Sequence, residues 1–236
     1  VSGHTDVVPV DGQVWSSDPL TLTEREGRLY GRGAADMKGF IAAALAAARG
    51  WALLDLARPI HVALSYDEEV GCFGMPRLVA DLVEHVALPA VAIVGEPTEM
   101  RVADRHRGFS GHHTAFQGKA AHSSDPSKGV CAIGPAAEFV VHLRRTLARH
   151  RASGSSVSMN VGRIEGGTAI NIVPQSCGVT WEYRAASAAE AEAFARDVDE
   201  YLIGAARESA GIRRTELATV PALAAHGGEE ACRLAH

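Results

Sequence analysis

The sequence predicts an α/β protein: a mixed, largely parallel sheet layer over residues 1–107 and 222–236, with a smaller ferredoxin-like α+β domain inserted over 108–221. Three observations carry that prediction. Up to Arg107, short apolar runs alternate with helical stretches, the rhythm of a parallel sheet with crossover helices. From Gly108 the order becomes β-α-β-β-α-β, which is the split βαβ arrangement. Acidic or histidine residues recur where the apolar runs of the first segment end, the place at which open α/β sheets bind ligands.

The elements follow in chain order. "VSGHTD" reads as the end of a strand that begins upstream, and with no initiator Met the chain reads as a fragment. Strands are expected over 28–30, 59–66 and 90–94, and helices over 37–56 and 75–84; the first helix is Ala-rich and can approach a sheet closely. In the second segment the pattern predicts a strand over 111–117, a helix over 130–150, a turn at "RASGSS" and strands over 157–165 and 177–184. An amphipathic helix over 188–207 then places Phe194, Val198, Tyr201 and Leu202 on one stripe, and a strand over 213–218 closes the set. After Pro221, "ALAAHGGEEACRLAH" opens another helix of the first domain.

Composition narrows the function. With 236 residues, 47% of them hydrophobic, the chain can bury a substantial core. Its net charge of −5, from 23 basic and 28 acidic residues without a Lys/Arg cluster, argues against nucleic acid or an anionic membrane as partner. The apolar run 40–48 falls short of the ~20 residues that span a bilayer, and no signal segment opens the chain. Cys72, Cys131, Cys177 and Cys232 are widely spread, without zinc-type pairing or disulfide density, and read as reduced, packed cysteines of an intracellular protein. Small-molecule chemistry is what remains.

The stretch "SYDEEVGCFG" puts Asp67, Glu68 and Glu69 side by side at the end of an apolar run. Adjacent carboxylates repel, and partial burial raises their pKa unless positive charge compensates. They could cap the helix that follows. The placement recurs, however: His4 and Asp6 in "VSGHTD", Glu96 in "AVAIVGEPT", and Asp36 in the glycine-bearing turn "GRGAADMKG". Each has a plainer alternative, a core histidine, a turn acid or an N-cap. Together they make a mixed N/O donor set suited to zinc, with cobalt or manganese as substitutes. Asp6, two residues past His4, can orient the imidazole from behind. One carboxylate of the "DEE" run could then bind metal while its neighbour moves a proton.

These motifs resemble a known family. "SGHTDVVP", "GRGAADMKG", "SYDEEVGCFG", "VGEPT", "GKAAHSS" and "INIVPQ" occur in the order found in the aminoacylase-type dinuclear zinc metallopeptidases and deacylases, and span nearly the whole chain. The resemblance implies a zinc exopeptidase-like catalytic domain that hydrolyses the amide of an N-acyl amino acid, in a cytoplasmic homodimer. It implies two Zn2+ ions bridged by Asp36, with His4 and Glu96 completing one site and Glu69 serving the other, and Glu68 as general base. A last histidine ligand is expected beyond this sequence, since neither His226 nor His236 sits in the matching motif. The inserted domain would act as lid and dimerisation surface. His122 would reach a partner's active site to stabilise an oxyanion, and Asn171 and Arg184 would contact substrate, Arg184 through its planar fork. Without the resemblance, His122 reads as a loop histidine and Arg184 equally as the partner of a neighbouring acid.

Overall fold

The computed structural model describes residues 1–206 and 211–224. The last residue of the helix expected over 188–207, the helix expected after Pro221, and Cys232, His226 and His236 lie outside the described residues. The chain divides into two compact units, Val1–Ala103 and a second that begins at Asp104. Among the described residues no helix is long and apolar enough to cross a membrane.

The first unit contains β1 (Ser2–His4), β2 (Thr23–Arg25), β3 (Arg28–Tyr30), α1 (Gly39–Trp51), β4 (Ala63–Ser65) and α2 (Met75–His85). β1 runs parallel to β4, with His4 opposite Ser65, and on its other side Ser2 bridges Val94, also in parallel. This is the parallel layer that the alternating apolar runs predict, but its strands are short. The strand expected over 59–66 keeps only three residues: Pro59 has no N–H to give to a ladder, and Ile60, Val62 and Leu64 stay exposed. The strand expected over 90–94 is reduced to the bridge at Val94, fixed by Ser2 N–H donating to the Ile93 carbonyl at 2.8 Å.

β2 and β3 form an antiparallel hairpin closed by Glu26 and Gly27, both at positive φ, as two-residue hairpin turns require. β2 was not expected from the sequence. α1 begins at Gly39 rather than at residue 37, because Asp36 and Met37 adopt non-helical backbone in a π-type turn, Ala34–Lys38. α2 starts with Pro76 in its first turn, where the missing N–H costs nothing.

The second unit contains β5 (Gly108–Gln117), α3 (Ile133–Ala152), β6 (Ser158–Gly166), β7 (Ser176–Ala185), α4 (Ala188–Ala206) and β8 (Gly211–Val220). The strands form one antiparallel sheet in the order β6-β7-β5-β8. With the helices at their places in the chain, this is the split βαβ arrangement that the element order predicts.

The core follows the two periodicities. β7 buries every second side chain, Cys177, Val179, Trp181, Tyr183 and Ala185. Ala136, Phe139 and Leu143 of α3 and Phe194, Val198 and Leu202 of α4, spaced by three or four residues, join them in one cluster. Burying each such large side chain contributes about 1.5–3 kcal/mol. The one polar atom that Trp181 carries into the core is satisfied, Nε1–H donating to Thr114 Oγ1 at 3.0 Å.

The start of α4 is a capping box with a longer reach. Ser187 Oγ accepts the Glu190 N–H at 3.2 Å. The Glu190 carboxylate accepts from Ala186 N–H at 3.0 Å, Ser156 N–H at 2.7 Å and the hydroxyls of Ser155 and Ser156 at 2.9 Å each. It therefore ties the helix to the turn read as "RASGSS". The Ser156 amide foremost, with the other donors, holds the carboxyl down to about 2.

Candidate metal centre

The first unit brings its strand ends and the π-type turn together around His4. At the end of β1 this residue is only 2% exposed. Its ring is fixed from behind, Nδ1–H donating to the Asp6 carbonyl at 2.9 Å, so Nε2 carries the free lone pair. Nε2 lies 3.0 Å from Asp36 Oδ1 and 3.9 Å from both Glu68 Oε2 and Glu96 Oε1. His4, Asp36 and Glu69 offer ligand atoms that all lie within 4.8 Å of one another.

Local structure explains each position. Asp36 is thrown forward by the π-type turn, which Gly33 enters at φ 79°, a conformation that a side chain disfavours. Asp36 and Met37 do not cap α1, whose N-cap is Lys38, so the plainer reading of Asp36 does not apply. Met37 is fully buried beneath β1, and its Sδ accepts the His4 N–H at 3.3 Å. Glu96 follows Gly95, where a Cβ would lie 2.0 Å from Phe40 Cγ; only a glycine lets that backbone cross the α1 ring.

The "DEE" run forms a tight turn after β4. Asp67 stands at φ 56°, and the Glu68 carbonyl accepts from Gly71 and Cys72 N–H at 3.0 and 3.1 Å. These acids do not cap α2, whose N-cap is Gly74 without a side-chain bond. Cys72, a neighbour the sequence reading did not single out, has its Sγ 3.8 Å from Glu68 Oε1. Burial, with the Glu68 charge, pushes that thiol up, so it stays protonated.

At Asp6 the carbonyl is the nearer contact of the imidazole, 2.9 Å from Nδ1; the carboxylate Oδ1 lies behind it at 3.5 Å, while Oδ2 accepts the Glu69 N–H at 3.0 Å. Backbone geometry of this kind leaves no trace in residue type. The carboxyl is held below its ordinary range: burial opposes this, but the Glu69 and Glu68 amides outweigh it.

The electrostatics call for a cation. Glu69 and Glu96 are both raised, by burial first and then by the charge of Asp36 and their acidic neighbours. His4 is also raised: burial pulls it down, but Asp36, the Asp6 carbonyl, Glu68 and Glu96 prevail. Among the described residues, the ion pairs of Asp36, Glu68 and Glu96 all run to this one imidazole. One ring nitrogen backed by a carbonyl and faced by carboxylate oxygens is the donor chemistry of a zinc-type site, so the residues fit a divalent metal. The tight trio includes Glu69 where the sequence placed Glu96 beside His4; Glu96 meets the same nitrogen at 3.9 Å.

The remaining candidates belong to the second unit. His122 stands in a loop bridged to Ile172, and the Ser123 N–H donates to the Asn171 carbonyl at 2.9 Å, so the His122 and Asn171 loops are joined. Arg184, on β7, pairs with Glu182 at 3.4 Å and lies over the Phe109 ring at 5.2 Å.

The donor set of this site belongs to the class of divalent-metal centres, and comparison with known proteins shows the family of the chain. Residues 1–236 match Peptidase family M20/M25/M40, and the chain belongs to that family. It is similar to the acetylornithine deacetylase of Erwinia tasmaniensis, at 39% identity over 192 residues, 78% of this chain and 49% of that protein. A second relative, the acetylornithine deacetylase of Photorhabdus laumondii, is 37% identical over 189 residues, 77% of this chain and 48% of that one. Thus the chain spans about half the length of the curated relatives it matches. Among solved structures, the aminopeptidase PepT of Bacillus cereus ATCC 10987 shares the fold, with a TM-score of 0.67 at 23% identity over 99% of this chain and 61% of that one.

Proposed function

We propose that the complete protein is a metal-dependent deacylase that cleaves N2-acetylornithine to ornithine and acetate, a step of arginine biosynthesis, in the cytoplasm. The convergence of His4, Asp36 and Glu69, with Glu68 beside them, is the observation that carries this reading. The deacetylase names of the relatives supply the substrate.

In this reading Asp36, His4, Glu96 and Glu69 would together hold two zinc ions, for which cobalt or manganese could substitute, with Asp36 shared, His4 and Glu96 serving one ion and Glu69 the other. Such ions, when bound, lower the pKa of water and polarise an amide carbonyl. Glu68 takes the proton of the attacking water and returns it to the departing amine. Asp6 keeps the His4 ring turned toward the carboxylates. The second unit serves as lid and dimerisation surface, and His122 of a second copy donates to the developing oxyanion. Arg184 grips the substrate carboxylate with its fork, releasing Glu182, and Asn171 offers its amide to the substrate.

A second reading is that the chain as given, which covers about half the length of its relatives, is an inert dimerising module. Metal content and turnover of N2-acetylornithine, N-succinyl-diaminopimelate and dipeptides, measured on this chain and on the full-length protein, test both. Deacetylation by the full-length protein is expected. Turnover of none of these substrates by either would overturn the enzyme reading, and preference for a succinyl or peptide substrate would overturn the acetylornithine assignment.

A further inference from the structure

His122 is exposed, yet its surroundings select one tautomer. Its Nδ1 lies 3.2 Å from the Ser124 backbone nitrogen, placed as acceptor of that N–H, and 2.8 Å from Ser124 Oγ. A proton on Nδ1 would face the amide hydrogen, so Nδ1 is the acceptor and Nε2 carries the ring proton. A carboxylate at Nδ1 would reverse this, and Asp125 is the near candidate. That acid is engaged elsewhere: its oxygens take Ser127 Oγ at 2.6 Å and Lys128 Nζ at 2.8 Å. The main chain is also fixed, since His122 bridges Ile172, Val173 N–H donates to the Ala121 carbonyl at 2.8 Å and Asp125 N–H donates to the His122 carbonyl at 3.0 Å.

We propose that Ser124 is a positioning residue that holds His122 as the Nε2–H tautomer, so that its one neutral donor points away from the loop toward an incoming oxyanion. This rests on the reading of His122 as an oxyanion donor. A neutral imidazole can donate from one nitrogen only, so a His122 protonated on Nδ1 would turn a lone pair on the developing negative charge.

The test reads the ring directly. In 15N-labelled protein above about pH 8, where an ordinary imidazole is neutral, two-bond nitrogen–proton correlations distinguish the tautomers, and Ser-independent assignment comes from the peaks lost in His122→Gln. Wild type is expected as Nε2–H. Ser124→Ala lowers the ratio of Nε2–H to Nδ1–H about fivefold, the change that one ordinary hydrogen bond sets, and Ser124→Thr keeps the wild-type ratio. In the full-length protein, Ser124→Ala lowers kcat by up to about fivefold, the most that the lost Nε2–H population can account for, with KM within about twofold, less than the ~100-fold or more for losing an oxyanion donor outright, and Ser124→Thr restores it. An Nδ1–H wild type, a Ser124→Ala spectrum like wild type, or a shifted spectrum with unchanged kcat would overturn the proposal. If wild type hydrolyses no N-acyl amino acid while the spectra behave as expected, the deacylase reading falls and the tautomer assignment stands.

Discussion

His4 Nε2 stands 3.0 Å from Asp36 Oδ1, although 32 positions separate the two residues in the chain. One comes from the end of a parallel strand and the other from a turn that interrupts a helix start, so only the fold makes them neighbours. Because Nδ1 is committed to the Asp6 carbonyl, this pair faces the cluster of carboxylates with a lone pair rather than a proton whenever His4 is neutral. His4→Ala and Asp36→Asn are each expected to weaken zinc binding by at least ~100-fold, since even losing a residue that only orients a ligand costs ~10–100-fold. Competition titration of the full-length protein against a chelator measures it. Unchanged affinity in either variant would remove the metal centre from this place.

Glu68 and Glu69 are chemically alike and adjacent, and the two should separate on substitution. Glu68→Gln is expected to lower kcat by ~10²–10⁴-fold, the range for losing a general base, with metal content unchanged. Glu69→Gln is expected to lose metal first and activity as a result. Metal analysis beside steady-state kinetics distinguishes them. A Glu68→Gln protein depleted of metal would exchange the two roles.

The sequence was most legible where periodicity and burial agree. β7 alternates buried with partly buried or exposed side chains over ten residues, and α4 repeats Phe194, Val198 and Leu202, so the second unit could be read in order and nearly in extent. The first unit was legible in kind but not in length: an apolar run such as 59–66 shows that a strand exists, while the pairing that decides its ends is nonlocal. The convergence of His4, Asp36 and Glu69 was legible because acidic and histidine residues recur at strand ends and in the glycine-bearing turn of the first unit. What stayed hidden was backbone: the Asp6 carbonyl behind His4, the non-helical turn that throws Asp36 forward, and the Phe40 ring beneath Gly95. None of these depends on the type of side chain that performs it.

Gly95 should be intolerant for that reason. A Cβ there would meet three atoms of the Phe40 ring at 2.0–2.2 Å, so Gly95→Ala must displace either α1 or the segment that carries Glu96. Overpacking of this kind typically costs about 1–3 kcal/mol. The variant is expected to unfold at lower denaturant and to bind zinc more weakly, and adding Phe40→Ala should return part of the zinc affinity even though it opens a cavity. A Gly95→Ala protein as stable and as tight as wild type would mean that the ring is free to move aside.

His112, on β5, is only 2% exposed, stacks on Tyr183 with ring centroids 5.7 Å apart and tilts against Trp181 at 4.7 Å, and neither ring nitrogen has a hydrogen-bond partner among the described residues. Burial first, and then the Arg214 charge, push it down to about 4. An unfolded chain would bind that proton near pH 6.5, so between about pH 6.5 and 4 the unfolded state holds more protons and stability falls as pH falls. At 1.36 kcal/mol per pKa unit, the full loss is roughly 3 kcal/mol. Glu190 acts lower: its folded pKa of about 2 lies beneath the ordinary carboxyl range, so its contribution is present above that range and is lost as pH falls toward 2. Two acid limbs are therefore expected in denaturant midpoints followed by tryptophan fluorescence. His112→Phe, which keeps an aromatic ring between Trp181 and Tyr183, should flatten the limb above pH 4 and leave the lower one. Parallel wild-type and His112→Phe curves down to pH 4 would show that the buried imidazole takes its proton without cost, against the unpartnered geometry of its two nitrogens.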